Sequence, residues 1–432
     1  MPKDPKIIVR FPPSPTGLLH IGSVRTALYN YLFARQNGGR FIFRIEDTDK
    51  ERSKREYEDE IKDSMKWLGL DWDNEGSEWR QSERSEIYKE KIQELIKNGA
   101  AYISQEIEGE NREVVRFKNP GGKIKFQDLI RGEVEMEVGD LNDFIIARNI
   151  NEPIYHLAVV VDDLESGVTH VIRGEDGISN TPRQILILEA LGGTRPIYAH
   201  LPLVLAADKS KLSKRKHGES VSLKYYRDRG FEREAILNFV VMIGWNPATP
   251  QEIFSLEELV KVFDLAKVQK KGGIFDIKKL RWVNKEHLKL KPEDTKQKIG
   301  ERVKKHFGDA EIHPSLVEIL FERIEVLSDI DDLVKEGELD YFFNEPKLDI
   351  EKITWKGQTK ENAKENLQKV SEILDNPENI MQCAEEVGKG NLLWPLRYSL
   401  SGREKSPDPL SLIKILGIEE SKKRIIKAIE AL

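Results

Sequence analysis

The sequence predicts an α/β fold, in which a Rossmann-like parallel-sheet domain carries an inserted domain and is followed by an all-helical C-terminal region. A strand-like run at 6–11 leads into a helical pattern that ends at Gly38, and a second strand-like run covers 40–46. The strand pattern resumes only at 168–172, and after residue 222 the pattern becomes largely helical. The order strand, helix, strand opens a parallel sheet, whose ligands bind at the carboxyl ends of its strands.

The interruption of the sheet pattern predicts the insertion. It holds a helical segment at 82–98 and short strand-like runs at 113–117 and 123–126. A helix that starts at Thr181 and stops at Gly192 then returns the chain to the sheet domain. The predicted boundaries are 1–80 and 167–222 for the sheet domain, 81–166 for the insertion, 223–290 for a connecting region and 291–432 for a helical domain.

Composition excludes several classes of protein. A length of 432 residues suggests several domains of about 100 to 200 residues each. The chain lacks an apolar run of about 18 residues and a signal-peptide stretch, so we expect no membrane partner and a cytoplasmic location. Cys383 is the only cysteine, which excludes an internal disulfide and favours a buried apolar role.

The net charge of −6 is an average over two unlike parts of the chain. Residues 291–432 contain 23 Lys and Arg against 29 Asp and Glu, whereas residues 1–290 contain 46 of each kind. Within the neutral part, 267–281 holds six basic residues against Asp276 alone. This segment suits contact with phosphates, although a solvated helix end explains it equally well.

The loop after the first strand has the composition of a nucleotide site. Prolines within 12–15 hold the backbone extended, while Gly17 and Gly22 permit a turn and a close approach of a flat ring. His20 lies just ahead of the helix, where its imidazole can donate to a phosphate oxygen beside the free amide groups. The alternative is a proline-rich loop with a capping histidine and no ligand.

The motif KLSKR at 211–215 crowds three permanent positive charges together, with Lys209 and Lys216 beside it. Such density is costly unless the charges are solvated or face anions. A solvated surface loop is the alternative, but an expected strand at 201–206 would deliver the motif to the edge of the sheet. The two motifs together predict a site for the phosphates of ATP and an ATP-driven ligation.

At this point the chain resembles the class I aminoacyl-tRNA synthetases, whose signatures HIGH and KMSKS read HIGS and KLSKR here. Within that class it resembles the bacterial-type glutamyl-tRNA synthetases. That narrower resemblance rests on RFPPSPTGLLHIGS, GGRFIFRIEDTD, RQSER, YHLAVVVDDLESGVTHVIRGEDGISNTPRQ, FDIKKLRWVN and PLRYSLSGREKSP. Many bacterial relatives have a longer insertion around residues 101–116, which sometimes holds zinc through cysteines and histidine. This stretch is short here and has no Cys or His, so we predict no zinc and no other protein-held metal.

The resemblance implies ATP-dependent attachment of L-glutamate to the 3′ end of tRNA(Glu) through glutamyl-adenylate, with Mg2+ accompanying ATP. It assigns the tRNA acceptor end to the insertion, the stem to 223–290 and the anticodon to 291–432, and a monomer is the family's usual form. It gives catalytic roles to His20, Lys211 and Lys214. The residues implied to bind ATP are Gly17, His20, Gly22, Lys211, Leu212, Ser213, Lys214 and Arg215.

The glutamate side chain requires paired cations if its γ-carboxylate is buried, and the arginine fork holds two oxygens while staying ionised. Arg10 and Arg173 each lie near the end of a strand-like run, and the resemblance gives both of them, with Tyr155, contacts to the amino acid. Glu46 can neutralise the substrate ammonium group, with Ser14 beside it. The alternative for Arg173 is an internal ion pair with nearby Glu175.

Three other functions stay open at this point. A non-discriminating enzyme would also charge tRNA(Gln), and the anticodon contacts that decide this cannot be located in one sequence. A non-catalytic tRNA-binding paralogue would be expected to lose motif residues that are present here. A small nucleotidyltransferase would not need the insertion and the long helical tail.

Overall fold

The computed structural model describes residues 7–106, 113–308 and 310–432, with the side chain of Lys214 outside the description. The chain divides into two compact units, the first ending at His287 and the second covering Leu288–Leu432.

The strands and helices follow in chain order. The strands are β1 Ile8–Phe11, β2 Arg40–Ile45, β3 Trp79–Arg80, β4 Ala101–Gln105, β5 Glu113–Phe117, β6 Lys123–Asp128, β7 Gly132–Glu137, β8 Phe144–Asn149, β9 Glu152–Pro153, β10 His170–Gly174, β11 Ile197–Leu201, β12 Val204–Leu205 and β13 Gly273–Ile274. The helices are α1 Ile21–Gln36, α2 Arg55–Leu68, α3 Ser85–Lys97, α4 Tyr155–Glu165, α5 Thr181–Ala190, α6 Lys214–His217, α7 Leu223–Arg229, α8 Arg233–Met242, α9 Leu256–Val262, α10 Ile277–Leu290, α11 Pro292–Phe307, α12 Pro314–Arg323, α13 Asp329–Lys335, α14 Asp340–Phe343, α15 Lys360–Ile373, α16 Asn379–Val387, α17 Lys389–Ser401, α18 Pro409–Leu416 and α19 Ile418–Ala431.

Two groups of parallel strands form the nucleotide-binding sheet. The first has the order β1-β2-β3, and in the second β10 pairs with β11. The N–H of Thr169 donates to the carbonyl of Ile8 across 2.9 Å, so β10 begins beside β1. The carboxyl ends of β1 and β10 therefore point the same way, and they carry Arg10 and Arg173 to one edge.

Helix α1 joins β1 to β2 and is buried along much of its length. Val24 and Leu28 have no exposed surface, as expected for a helix packed on a parallel sheet. The chain turns after the helix at Gly38, whose φ of +59° favours glycine. The predicted strand, helix, strand unit is therefore present, and the fold class is confirmed.

The predicted insertion contains two small antiparallel arrangements. One is a sheet of order β4-β5-β8-β9, and the other is the hairpin β6–β7. The hairpin joins the second half of the main sheet through one parallel bridge, between Asp128 and Tyr198. Buried side chains of α3, α4, α5 and β5 then share one hydrophobic core.

The strand expected at 201–206 is wrong in its extent. Strand β11 ends at Leu201, Pro202 interrupts it, and the shorter β12 pairs with β13 instead. Proline has no N–H to donate to a strand partner, so the break falls where the sheet could not continue. The KLSKR motif still follows a strand, because Leu205 bridges to Lys211.

The second unit is helical throughout its described residues and holds two hydrophobic cores. One core gathers buried residues of α15 to α19, and the other gathers residues of α11 to α13. Cys383 is only partly buried and packs against the first of these cores, whereas a buried apolar position was expected. No helix in the described residues is long and apolar enough to span a membrane.

Candidate active site

A cleft of about 710 Å3 opens where the ends of β1 and β10 meet the loop before α1 and the KLSKR loop. It brings together residues that lie up to two hundred positions apart in the sequence. The site residues predicted from the sequence that line it are Arg10, Ser14, Gly17, His20, Gly22, Glu46, Tyr155, Arg173, Lys211, Leu212 and Ser213. Arg215 is exposed and does not line the cleft, and the side chain of Lys214 lies outside the described residues.

His20 caps the N-terminus of α1. Its Nδ1 accepts a hydrogen bond of 2.9 Å from the N–H of Gly22, so the neutral ring carries its proton on Nε2. Burial lowers the pKa of His20, a backbone hydrogen bond with Leu212 opposes the shift, and the charge of Lys211 adds to it. The neutral imidazole therefore has a single donor, Nε2–H, for which the backbone of Leu212 and a ligand would compete.

The KLSKR loop is anchored by its backbone. The N–H of Leu212 donates to the carbonyl of Val204 across 3.0 Å, and the Leu212 side chain is buried. The N–H of Ser213 donates to Nδ1 of His217. Lys211 is exposed, with Nζ at 3.2 Å from Asp176. The loop thus holds Lys211 at the cleft with an exposed and weak ion pair that a phosphate can displace.

Four charged groups form a network around the end of β1: Arg10, Arg44 and Glu46 are buried, and Asp163 is partly exposed. The Nε of Arg10 lies 3.3 Å from both oxygens of Asp163 on α4. Arg44 on β2 donates to Asp163 across 2.8 Å and to Glu46 across 2.9 Å. Burial alone would raise the pKa of Asp163, but the two neighbouring arginines outweigh it, and the pKa lies below its usual value. Asp162, whose Oδ2 lies 3.6 Å from Nε of Arg44, is a third carboxylate beside these two guanidinium groups.

Glu46 follows β2 and is almost fully buried at the cleft wall. Its N–H donates to the carbonyl of Pro13 across 3.0 Å, which joins it to the proline loop. Burial raises the pKa of Glu46, and the neighbouring Arg44 and Arg10 oppose that shift. A substrate ammonium group would add a further cation and would keep this carboxylate ionised.

Arg173 does not form the internal ion pair with Glu175 that was the alternative to a contact with the amino acid. Glu175 pairs with Arg131 and accepts from the N–H of Leu203 instead. Arg173 donates only to neutral acceptors among the described residues: His200 Nε2 at 3.1 Å, the carbonyl of Gly177 at 3.0 Å and Thr181 Oγ1 at 2.8 Å. Its positive charge therefore stays available to an anion in the cleft.

Tyr155 is the first residue of α4 and lines the same cleft as the two arginines and Glu46. Desolvation and the Glu46 charge raise the pKa of Tyr155, while Arg173 and Arg10 oppose the shift. Its hydroxyl stays protonated at neutral pH and can donate to an acidic ligand. Ser14 is exposed in the proline loop, where its carbonyl accepts from the N–H of Thr16.

Sequence reasoning missed three residues that hold the site. Arg44 and Asp163 complete the ion network, and His200 supports Arg173. A signal was present in each case, because a charged or imidazole side chain lies within an apolar segment and must find a partner when buried. Which partner it finds depends on sheet register and could not be obtained from spacing.

The described residues contain no group of three or more His, Cys, Asp or Glu side chains placed to hold a metal ion. Residues 107–112 of the stretch that was considered for zinc lie outside the described part of the chain.

Comparison with protein families gives two matches. Residues 6–113 and 103–282 match the catalytic domain of class I tRNA synthetases (E and Q), and residues 298–429 match an anticodon binding domain. The two matches together cover most of the chain.

Individual relatives match over the full length. The chain is 42% identical to glutamate–tRNA ligase 1 of Petrotoga mobilis, covering 98% of this chain and 97% of the relative. It is 37% identical to the glutamate–tRNA ligase of Aquifex aeolicus, covering 99% of each. A crystal structure of a glutamate tRNA ligase from Elizabethkingia meningosepticum in complex with its amino acid matches with a TM-score of 0.89 and 33% identity, covering 99% of this chain and 100% of that one.

Proposed function

The chain belongs to the glutamate–tRNA ligase family of the class I tRNA synthetases, and we propose that it joins L-glutamate to the 3′ end of tRNA(Glu) in the cleft between β1 and β10. The resemblance seen in the sequence and the expected enzyme class are confirmed by the relatives. The observation that carries the proposal is the convergence of both nucleotide motifs and both arginines on one cleft.

The first step forms glutamyl-adenylate. The α-carboxylate of glutamate attacks the α-phosphate of ATP in line, and the bond to pyrophosphate breaks. No protein nucleophile takes part, so the chain contributes alignment and positive charge. His20 donates through Nε2 to the phosphates, Lys211 and Lys214 stabilise the departing pyrophosphate, and the backbone at Gly17 and Gly22 admits the nucleotide.

The second step transfers the glutamyl group. A terminal ribose hydroxyl of tRNA attacks the activated carbonyl, the bond to AMP breaks, and the hydroxyl proton is lost to solvent. Arg10 and Arg173 hold the γ-carboxylate, Glu46 and Ser14 hold the ammonium group, and Tyr155 donates to the amino acid. Free glutamine is rejected because it would leave the charge of Arg173 buried without a counter-ion.

Mg2+ enters as the complex with ATP and shares the phosphate charge. The two carboxylates of the cleft do not form a separate metal site, because each already pairs with a cation. Glu46 pairs with Arg44, and Asp176 pairs with Lys211. We therefore assign the ion to the phosphates and water, and no step depends on a protein-held metal.

The remaining parts of the chain suit tRNA. We assign the acceptor end to residues 81–166, the stem to the basic segment within 223–290, and the anticodon to the helical residues 291–432, whose greater part matches an anticodon binding domain. We propose that the chain acts as a monomer in the cytoplasm, where tRNA is charged.

The direct test is aminoacylation of purified tRNA(Glu) and tRNA(Gln) transcripts with labelled glutamate and ATP, together with glutamate-dependent pyrophosphate exchange with and without tRNA. We expect charging of tRNA(Glu). Charging of tRNA(Gln) as well would identify a non-discriminating enzyme. Charging of neither, by a folded protein, would overturn the proposed function in favour of a binding paralogue.

The role of Lys214 has its own test. Replacing it with alanine should slow adenylate formation about 100-fold, the usual loss when one electrostatic stabiliser is removed. Lys216→Ala is the matched control in the same loop, because Lys216 pairs with Asp208 and does not line the cleft. Equal single-turnover rates for Lys214→Ala and the wild type would contradict the assignment.

A further inference from the structure

The acceptor for the Nε of Arg173 is a buried histidine, and this histidine belongs to no motif of the site. His200 has no exposed surface and does not line the cleft. Its Nε2 lies 3.1 Å from Nε of Arg173, and its Nδ1 lies 2.7 Å from Oδ2 of Asp128. A guanidinium nitrogen can only donate, so Nε2 accepts and Nδ1 carries the ring proton.

Asp128 determines which nitrogen of His200 carries that proton. Its Oδ2 accepts from both the ring Nδ1 and the backbone N–H of His200, while its Oδ1 accepts from the N–H groups of Ile130 and Arg131. With four hydrogen bonds, the carboxylate is held in one orientation. The imidazole is therefore held in the tautomer that presents a lone pair to Arg173.

We propose that His200 is a positioning residue for glutamate recognition, and that Asp128 keeps its ring in the accepting tautomer so that Arg173 is held without losing its charge to a carboxylate. A carboxylate in the place of His200 would also orient the arginine. It would, however, compete with the γ-carboxylate of the substrate for the same positive charge. A neutral acceptor orients the guanidinium and leaves the charge for the ligand.

The surroundings of Arg173 support the assignment. Thr181 Oγ1 accepts from Nη2 of Arg173 and lies 3.2 Å from Nε2 of His200, so both side chains hold the guanidinium. Gly177 lies close against it, since a Cβ there would lie 2.5 Å from Nε of Arg173. These contacts restrict the movement of the guanidinium.

The arrangement also joins the inserted segment to substrate recognition. Asp128 ends β6 of the inserted hairpin, which bridges to β11 at the pair Asp128 and Tyr198, two residues before His200. A displacement of the hairpin would move Asp128 and release the imidazole. Arg173 would then lose its fixed acceptor although no residue of the cleft had changed.

The test compares His200→Leu with His200→Gln. Leucine removes the acceptor, while the side-chain oxygen of glutamine can replace Nε2. In pyrophosphate exchange with tRNA, we expect His200→Leu to raise the glutamate KM at least 10-fold and to leave the ATP KM within twofold of the wild type. His200→Gln should recover most of the loss. Asp128→Asn should raise the glutamate KM as well, because one amide oxygen cannot replace both carboxylate oxygens.

This inference rests on the proposed function, and the wild-type protein separates the two. If the wild type shows no glutamate-dependent exchange, the proposed function fails. If the wild type is active and folded His200→Leu keeps the wild-type glutamate KM, or raises both KM values equally, the positioning role is wrong. If His200→Leu does not fold, the other two variants decide. The tautomer argument requires Asp128→Asn to raise the glutamate KM, so an unchanged glutamate KM in both His200→Gln and Asp128→Asn overturns it.

Discussion

The two halves of the sheet hold Arg10 and Arg173 by opposite means. In the first half, Arg10 donates to the carboxylate of Asp163, which Arg44 shares. In the second half, Arg173 donates to an imidazole, a hydroxyl and a carbonyl, and the described residues place no carboxylate against it. The first half therefore uses ion pairs for stability, whereas the second half keeps one positive charge for the ligand.

The difference suggests a division of labour between the arginines. The charge of Arg10 is already balanced, so Arg10 can contribute hydrogen bonds at little electrostatic gain. Burial desolvates Arg173 and lowers its pKa, and no carboxylate of the described residues pairs with it. With the γ-carboxylate of glutamate as its proposed counter-ion, Arg173 would be the stronger determinant of selection against glutamine.

The largest effect is expected in the first half, on stability. Asp163→Asn leaves Arg10 and Arg44 with only Glu46 and Asp162 as counter-ions, and breaking a buried pair costs about 3 to 5 kcal/mol. Urea denaturation should show this loss in the free energy of unfolding.

The control for Asp163→Asn is Asp228→Asn, which breaks the exposed pair of Lys224 and Asp228 and should cost less than about 0.5 kcal/mol. A loss for Asp163→Asn no larger than that of the control would mean that the network contributes nothing measurable to folding.

A smaller effect is expected in the second half, on catalysis. In Gly177→Ala the new methyl group would lie 2.5 Å from Nε and 2.8 Å from Cδ of Arg173, so the guanidinium must move. A misplacement of about 1 Å costs about 100-fold, and we expect that loss in kcat/KM for glutamate. Exchange kinetics at varied glutamate and at varied ATP would show it in the glutamate series alone.

Gly300→Ala is the matched control for Gly177→Ala, because a Cβ at Gly300 meets no atom within 4 Å. It lies inside α11, where alanine should add about 1 kcal/mol to helix stability and leave the kinetics unchanged. Wild-type glutamate kinetics in Gly177→Ala would show that Arg173 has more freedom than its contacts indicate.

The sequence predicts the shared edge of the two halves but not what supports each arginine. Arg10 and Arg173 follow from the rule that parallel strands present their carboxyl ends at one edge. Asp163 lies 153 positions from Arg10, and Asp128 lies 72 positions from His200, so these contacts depend on register and helix placement. Local patterns carry no information on such distant pairs.

The errors of the sequence reasoning have local causes. The expected strand at 201–206 was drawn through Pro202, although proline cannot donate to a partner strand. The ion pair of Arg173 with Glu175, which was the alternative to a substrate contact, rested on closeness in sequence, but Glu175 meets Arg131 from the inserted segment. In both cases the position of a residue within its strand or loop decided which partner it could reach.

The smallest expected effect is on the pH dependence of stability, which should differ between the two halves of the sheet. Burial lowers the pKa of His200, Asp128 opposes the shift, and the charges of Arg173 and Arg131 add to it. Because the folded pKa lies below the unfolded value of about 6.5, the unfolded chain binds the proton first. Stability is then lost as pH falls below about 6.5, by at most about 1.4 kcal/mol per pH unit for this one group.

The pKa of Asp163 is lowered from a much lower starting value, so its contribution is present above about pH 4 and is lost only as pH falls further. We therefore expect His200→Gln to flatten the fall in unfolding free energy between pH 6.5 and 5, and Asp163→Asn to leave that slope unchanged. Urea titrations at several pH values measure both slopes. An Asp163→Asn slope that differs from the wild type in this window would mean that the two halves titrate together, and the division between them would not hold.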